Sequence, residues 1–156
     1  MKSVLIVLGV VAAGASQAVT FDWENLVGPA NAPSYVQTVG GITATVTGVG
    51  GMVAVIDASA LGFGSASVVG GENTGNFLPT RFDFSTLLSD VTVWFGDNAT
   101  DDDGTVTLTA YGAANNVIAI SSLYRGTMTG AQSLSVNGTG ISYIVGSSDA
   151  PINGNS

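Results

Sequence analysis

Cysteine and histidine are both missing from the 156-residue chain, and their absence removes whole classes of chemistry. No disulfide can staple the fold, no Ser-His-Asp or Cys-His nucleophilic system can be assembled, and the usual His/Cys zinc site has no ligands. Positive charge is nearly missing as well: Lys2, Arg81 and Arg125 face eleven acidic residues. A chain of that sign offers little to phosphate backbones or anionic lipid, which argues against nucleic acid and against simple electrostatic membrane docking. Carboxylate chemistry and oxygen-ligated cations remain.

The chain also lacks a convincing 3.6-residue apolar stripe and any apolar run of about 18 residues that could span a bilayer. Its opening, MKSVLIVLGVVAAGASQAVT, has one cation (Lys2), an apolar run from Val4 to Ala13 and the small-residue pattern Ser16-Gln17-Ala18. That is the pattern of a secretory signal peptide over residues 1–18, with cleavage expected after Ala18. Residues 19–156 are then one domain's worth of chain, secreted to the extracellular space or the cell surface. A cysteine-free exported domain fits a bacterial source better than an animal one.

Period-two alternation fills that domain. Ile42, Ala44 and Val46 alternate with threonines; Phe82 and Phe84 flank Asp83; Val91, Val93 and Phe95 alternate with Thr92 and Trp94. Val106, Leu108 and Ala110 alternate with Thr105, Thr107, Thr109 and Tyr111, and the runs at 117–120, 134–136 and 141–145 follow. Many short strands separated by Gly40-Gly41, residues 48–51, Gly70-Gly71, Asn115-Asn116 and Asn137-Gly138 predict an all-β chain, an antiparallel β-sandwich or jelly roll. The glycine-rich stretch 62–75 is expected to be a long surface loop. Phe21 and Trp23, two residues apart, are expected in the core.

The segment GDNATDDDG gathers Asp97, Asp101, Asp102 and Asp103 between two strands expected to form one hairpin. Carboxylates so crowded repel one another unless solvent, donors or a cation offsets them. Calcium, which takes 6 to 8 oxygen ligands in flexible geometry, is the natural counter-charge; a solvated acidic turn is the plain alternative. The spacing is not that of an EF-hand, because the ligand slots would include Ala99 and no glutamate follows. Glu24 is the one other carboxylate singled out, either for a separate cation or as an exposed strand-edge residue.

If Val91, Val93 and Phe95 face the core, the pleat turns Trp94 and Thr92 outward, and likewise Tyr111 and Thr109. Such rings, edged by hydroxyls, form a surface on which a sugar can stack; burial under other strands is the alternative. No pair of carboxylates is spaced to suggest a glycosidase, so the chain reads as non-enzymatic. The triplets Asn98-Ala99-Thr100 and Asn137-Gly138-Thr139 match the N-glycosylation pattern, which has meaning only in a eukaryotic secretory pathway.

The succession VTFDWENL (19–26), TRFDFSTLLSDVTVWFGD (80–97) and DDDGTVTLTAYGAANNVIA (101–119) resembles secreted bacterial β-sandwich proteins of the kind that often carry a PEP-CTERM sorting signal. The shared elements are F-x-x-E-N-L, then F-D-F-S followed by V-x-V-x-F-G-D, then D-x-D-x-V-x-L-x-A-Y. The resemblance implies a jelly-roll, carbohydrate-binding-like module with a surface or matrix role. Here the elements that usually follow GISYIVGSSDAPING, a D-N-L strand and an anchor, are not seen, so an open sheet edge is expected near residues 133–145. Two roles follow as expectations: binding of extracellular polysaccharide beside a calcium-stabilised loop, or a structural module that self-associates through that edge.

Overall fold

The computed structural model describes residues 6–13, 18–23, 32–57, 66–69, 72–73, 76–77, 79–97, 104–124 and 130–149. Among these there is no helix, and the chain is all-β. The strands are β1 (Ile6–Ala13), β2 (Ala18–Phe21), β3 (Ser34–Val39), β4 (Ile42–Gly48), β5 (Ala54–Asp57), β6 (Ala66–Val69), β7 (Glu72–Asn73), β8 (Asn76–Phe77), β9 (Thr80–Asp97), β10 (Thr105–Tyr111), β11 (Val117–Tyr124) and β12 (Gly130–Ser148). Six of them form an antiparallel sheet in the order β11-β10-β12-β9-β4-β3. The far half of β9, residues 90–96, pairs instead with β1, which in turn pairs with β2 and β6. Residues 6–13, within the segment read as a leader, therefore lie in a ladder of the same sheet.

Alternation survives in the burial of side chains. Along β4, Ile42, Ala44 and Val46 are buried and the threonines between them are not; along β10, Val106, Leu108 and Ala110 are buried while Thr105, Thr107 and Thr109 are half-buried. The β3–β4 hairpin closes through Gly40 and Gly41, whose φ angles of +58° and +81° suit glycine and satisfy the two-residue turn that joins Val39 to Ile42. Asn115, at φ +62°, turns the chain between β10 and β11.

Several expectations need correction. The alternating runs at 82–84 and 91–95 are one strand, as are those at 134–136 and 141–145. Nothing in residues 85–90 breaks an extended chain, so β9 shifts phase there without ending: Phe82, Phe84 and Leu88 are buried on even numbers, Val91, Val93 and Phe95 on odd ones. Asn137-Gly138 is not a turn either; its partner register slips by two bulges between 137 and 143. A Cβ on Gly138 would lie 2.3 Å from Ile118 Cγ2, so glycine admits a close neighbour at this bulge.

The expected hairpin of β9 with β10 does not form, because β12 pairs with both and separates them. Asp97 lies opposite Gly130 and Val106 opposite Ser148, at the two ends of β12, so β9 and β10 run parallel on its flanks and no tight turn can join them. Within residues 133–145, where an open edge is expected, Tyr143, Ile144 and Val145 are paired on both flanks, whereas residues 133–137 and Ile141 have β9 as their one ladder partner among the described residues. The stretch 62–75 is not all loop, since β6 pairs there with β5 and β1; Gly70-Gly71 lies outside the described residues.

Among the described residues the buried side chains are apolar apart from Thr80. Phe21 and Trp23 are fully buried, with centroids 6.0 Å apart, and they meet Phe84 and Phe82 at 6.4 Å and 6.1 Å. Trp23 keeps a φ of +61°, an uncommon conformation for so bulky a residue, and its amide donates to Gln37 Oε1 while Gln37 donates to Asp22. A small apolar void is lined by Phe82 from the near half of β9, Val93 and Phe95 from its far half, Leu108 of β10 and Leu134 of β12. The two halves of β9 thus direct their inner side chains to one place.

Candidate outer-face aromatic site

Strand β9 carries Arg81 and Asp83 on the face opposite Phe82 and Phe84. Being two apart on one strand they project side by side, and Arg81 Nε donates to both carboxylate oxygens of Asp83, at 3.0 Å and 2.8 Å. Asp83's hydrogen bond raises the Arg81 pKa above its ordinary value, against the opposing effect of desolvation. Orientation is the gain. The guanidinium carbon sits 3.7 Å from the centroid of the Tyr143 ring on the neighbouring β12.

Tyr143 is in turn stacked on Tyr111 of β10, its direct cross-strand partner, with centroids 4.7 Å apart and planes 10° from parallel. That separation equals the spacing of strands in a sheet, so the rings stand upright and stack along the sheet, not flat upon it. Arg81, Tyr143 and Tyr111 form a row across β9, β12 and β10. Both faces of Tyr143 are then occupied, its hydroxyl donates to Asn115 Oδ1 at 3.0 Å, and only 8% of the residue is exposed. The ring face left for a ligand is the far side of Tyr111, toward Val117, which is exposed.

Thr109 lies two residues from Tyr111 on the same face, opposite Ile120 and Val145. Trp94 and Thr92 are also together, half-buried, on the side of β9 away from Val91, Val93 and Phe95. Their cross-strand neighbours are Ser133 and Ser135 of β12, and the Thr92 and Ser135 hydroxyls are 2.7 Å apart. The structure therefore joins Thr92 to Trp94 and Thr109 to Tyr111, but places the two pairs in different ladders.

Asp97 ends β9 opposite Gly130, and Asp101, Asp102 and Asp103 lie outside the described residues, as does Glu24. Where β10 begins, the Thr105 amide donates to Asp149 Oδ1 and the Asp149 amide donates to the Thr105 carbonyl at 3.1 Å. Among the described residues no three carboxylates gather in one place, and no helix is long and apolar enough to cross a membrane.

Sequence reasoning missed Arg81, Asp83, Tyr143 and Asn115. The spacing Arg81-x-Asp83 within a strand was a usable signal. Tyr143 was not legible, because simple alternation from Ile141 sets it facing the core, and the bulge between those two residues turns it outward. No family model matches the chain, and neither a curated protein nor a solved structure matches it.

Proposed function

We propose that the chain is an exported, non-enzymatic domain, a β-sandwich or jelly roll, that binds extracellular or cell-surface polysaccharide through outward aromatic side chains. The observation that carries this reading is the locked row of Arg81, Tyr143 and Tyr111. Its rings are held by stacking, a cation and a hydrogen bond, so a sugar meeting Tyr111 finds a surface already ordered and little side-chain entropy is lost on binding. Thr109 and Tyr111 supply hydroxyls beside it; Trp94 with Thr92 forms a second such place on the other half of β9. The sandwich geometry is supported by the shared void into which both halves of β9 turn their core residues. Calcium held by Asp97, Asp101, Asp102 and Asp103 is part of the same proposal, as oxygen-rich relief of their repulsion.

The test is calorimetric titration of the protein with a panel of soluble polysaccharides, in calcium and again in chelator. Saturable binding that Tyr111→Ala weakens by tenfold or more, about 1.4 kcal/mol, is expected; binding lost only with Trp94→Ala would move the platform to the other ladder. No heat with any glycan ends the proposal. A melting temperature indifferent to calcium removes the metal from it, since a ligand of the native state must raise that temperature.

A further inference from the structure

Tyr143 does more than stack on Tyr111: its hydroxyl sets which way the side-chain amide of Asn115 points. The hydroxyl donates to Asn115 Oδ1 at 3.0 Å. With that oxygen engaged, the two N–H groups of the same amide turn away from Tyr143, on a residue that is exposed. An asparagine free to flip offers a ligand either group; this one offers donors. The backbone beneath is fixed as well. Asn115 holds a φ of +62°, its backbone N–H donates to the Gly112 carbonyl, and the Gly112 N–H donates to the Asn116 carbonyl, both at 2.9 Å. Asparagine is among the few residues that take this left-handed conformation readily.

The turn of residues 112–116 joins Tyr111 to Val117, which are cross-strand partners. Strand β10 lies between β12 and β11, so a side chain that reaches Tyr143 on β12 from this turn passes the edge of the Tyr111 ring. The donors of Asn115 therefore stand beside the ring whose far face is free. Charge around this place selects the ligand class. Residues 105–124 contain no aspartate, glutamate, lysine or arginine, and neither do residues 130–148. On the adjoining part of β9, Arg81 and Asp83 neutralise each other, with both carboxylate oxygens engaged. Arg125 follows Tyr124, at the end of β11 away from this turn, and lies outside the described residues. Among the described residues, then, a uronate or sulfate finds no cation here that is not already paired. An uncharged sugar, with a face to stack on Tyr111 and oxygens to accept from Asn115, meets no such penalty.

We infer that Asn115 is the specificity-determining residue of the Tyr111 surface: its side-chain amide donates to the oxygens of an uncharged glycan, and the site takes neutral and not acidic polysaccharide. The inference rests on the polysaccharide proposal and narrows it to one class of sugar and one donor. Arg81 and Tyr143 are positioning residues, since both faces of the Tyr143 ring are already covered. They hold the amide and touch no ligand.

Calorimetric titration of the whole chain with hydroxyethyl cellulose, galactomannan and dextran, beside polygalacturonate and alginate, tests this. At least one uncharged glycan should bind saturably, with an affinity that hardly changes between low and high salt, and both polyuronates should bind at least about tenfold more weakly. Asn115→Asp keeps the side chain's shape, tolerates the positive φ and still accepts from the Tyr143 hydroxyl, but has no N–H to give. It should weaken binding of the uncharged glycan about tenfold and leave the melting temperature unchanged. Asn115→Gly, which also suits the turn and adds no charge, should weaken binding by as much, separating loss of the donors from gain of an anion. Glycan binding indifferent to both Asn115 variants, or polyuronates bound as tightly as the uncharged glycans, would overturn the inference and leave the polysaccharide proposal standing. Absence of binding to every glycan would end both.

Discussion

Two aromatic clusters share one short piece of β9 and are built by different physics. On the inner face Phe82 and Phe84 meet Phe21 and Trp23, all with little or no exposure, and nothing but area and shape holds them. On the outer face Arg81 and Asp83, the residues between and before those phenylalanines, hold Tyr143 and through it Tyr111. Inside, each ring contributes by leaving water, at roughly 25 cal/mol per Å² of apolar surface. Outside, the rings are ordered by directional contacts whose net contribution to stability is small, because solvent competes for them. The comparison teaches that the inner cluster determines whether the chain folds, and the outer one determines what the folded chain can touch.

The largest effect should come from breaking the inner cluster. Phe82→Ala removes a ring at 0% exposure that also lines the void beside Val93, and it should cost about 3–5 kcal/mol in a urea denaturation. Breaking the outer cluster should cost far less: Arg81→Gln removes the ion pair and the cation over Tyr143, worth about 1 kcal/mol together at side chains 37% and 40% exposed. Its effect should not vary between about pH 6 and 9. The Arg81 pKa is raised in the folded state, so its contribution is fully present below arginine's ordinary range and is lost only above it. A pH-dependent difference in melting temperature over that interval would mean that another titrating group is coupled to the row.

The smallest effect sharpens the contrast in the opposite direction. Gly146 lines the inner void, has an ordinary φ, and a Cβ added there would meet only the Thr80 carbonyl, at 3.9 Å. Gly146→Ala should stabilise the protein by about 0.5 kcal/mol, through the unfolded chain's entropy and a better filled core. Glycan binding should be unchanged, since the methyl group points inward.

Alternation made the inner face legible before any coordinates. Val91, Val93 and Phe95, Val106, Leu108 and Ala110, and the Phe21-Trp23 pair are all where period two puts them, because burial of one face is a local property of a strand. The order of strands was not legible. Residues 91–95 and 105–111 are neighbours in sequence, yet β12 comes between β9 and β10, a choice made by long-range packing to which no local pattern refers. Phase shifts were equally hidden: the bulge between Ile141 and Tyr143 takes a tyrosine out of the expected core and makes it the middle of the outer row. The polar half of the candidate site followed the same logic, since Asp83 was visible only as a spacer between two phenylalanines.

The position of Arg81 has a consequence for the molecule's lifetime among proteases. An enzyme that cuts after lysine or arginine finds only Lys2, Arg81 and Arg125 in the whole chain. At Arg81 the backbone is paired with Thr47 on one side and Val145 on the other, and the side chain that such an enzyme must capture is clamped between Asp83 and Tyr143. Cleavage there requires a central strand to be drawn out of the sheet, an event with the free energy of global unfolding and not of local fraying. In a digest by such an enzyme, durability at this bond is therefore a measure of the stability of the fold itself.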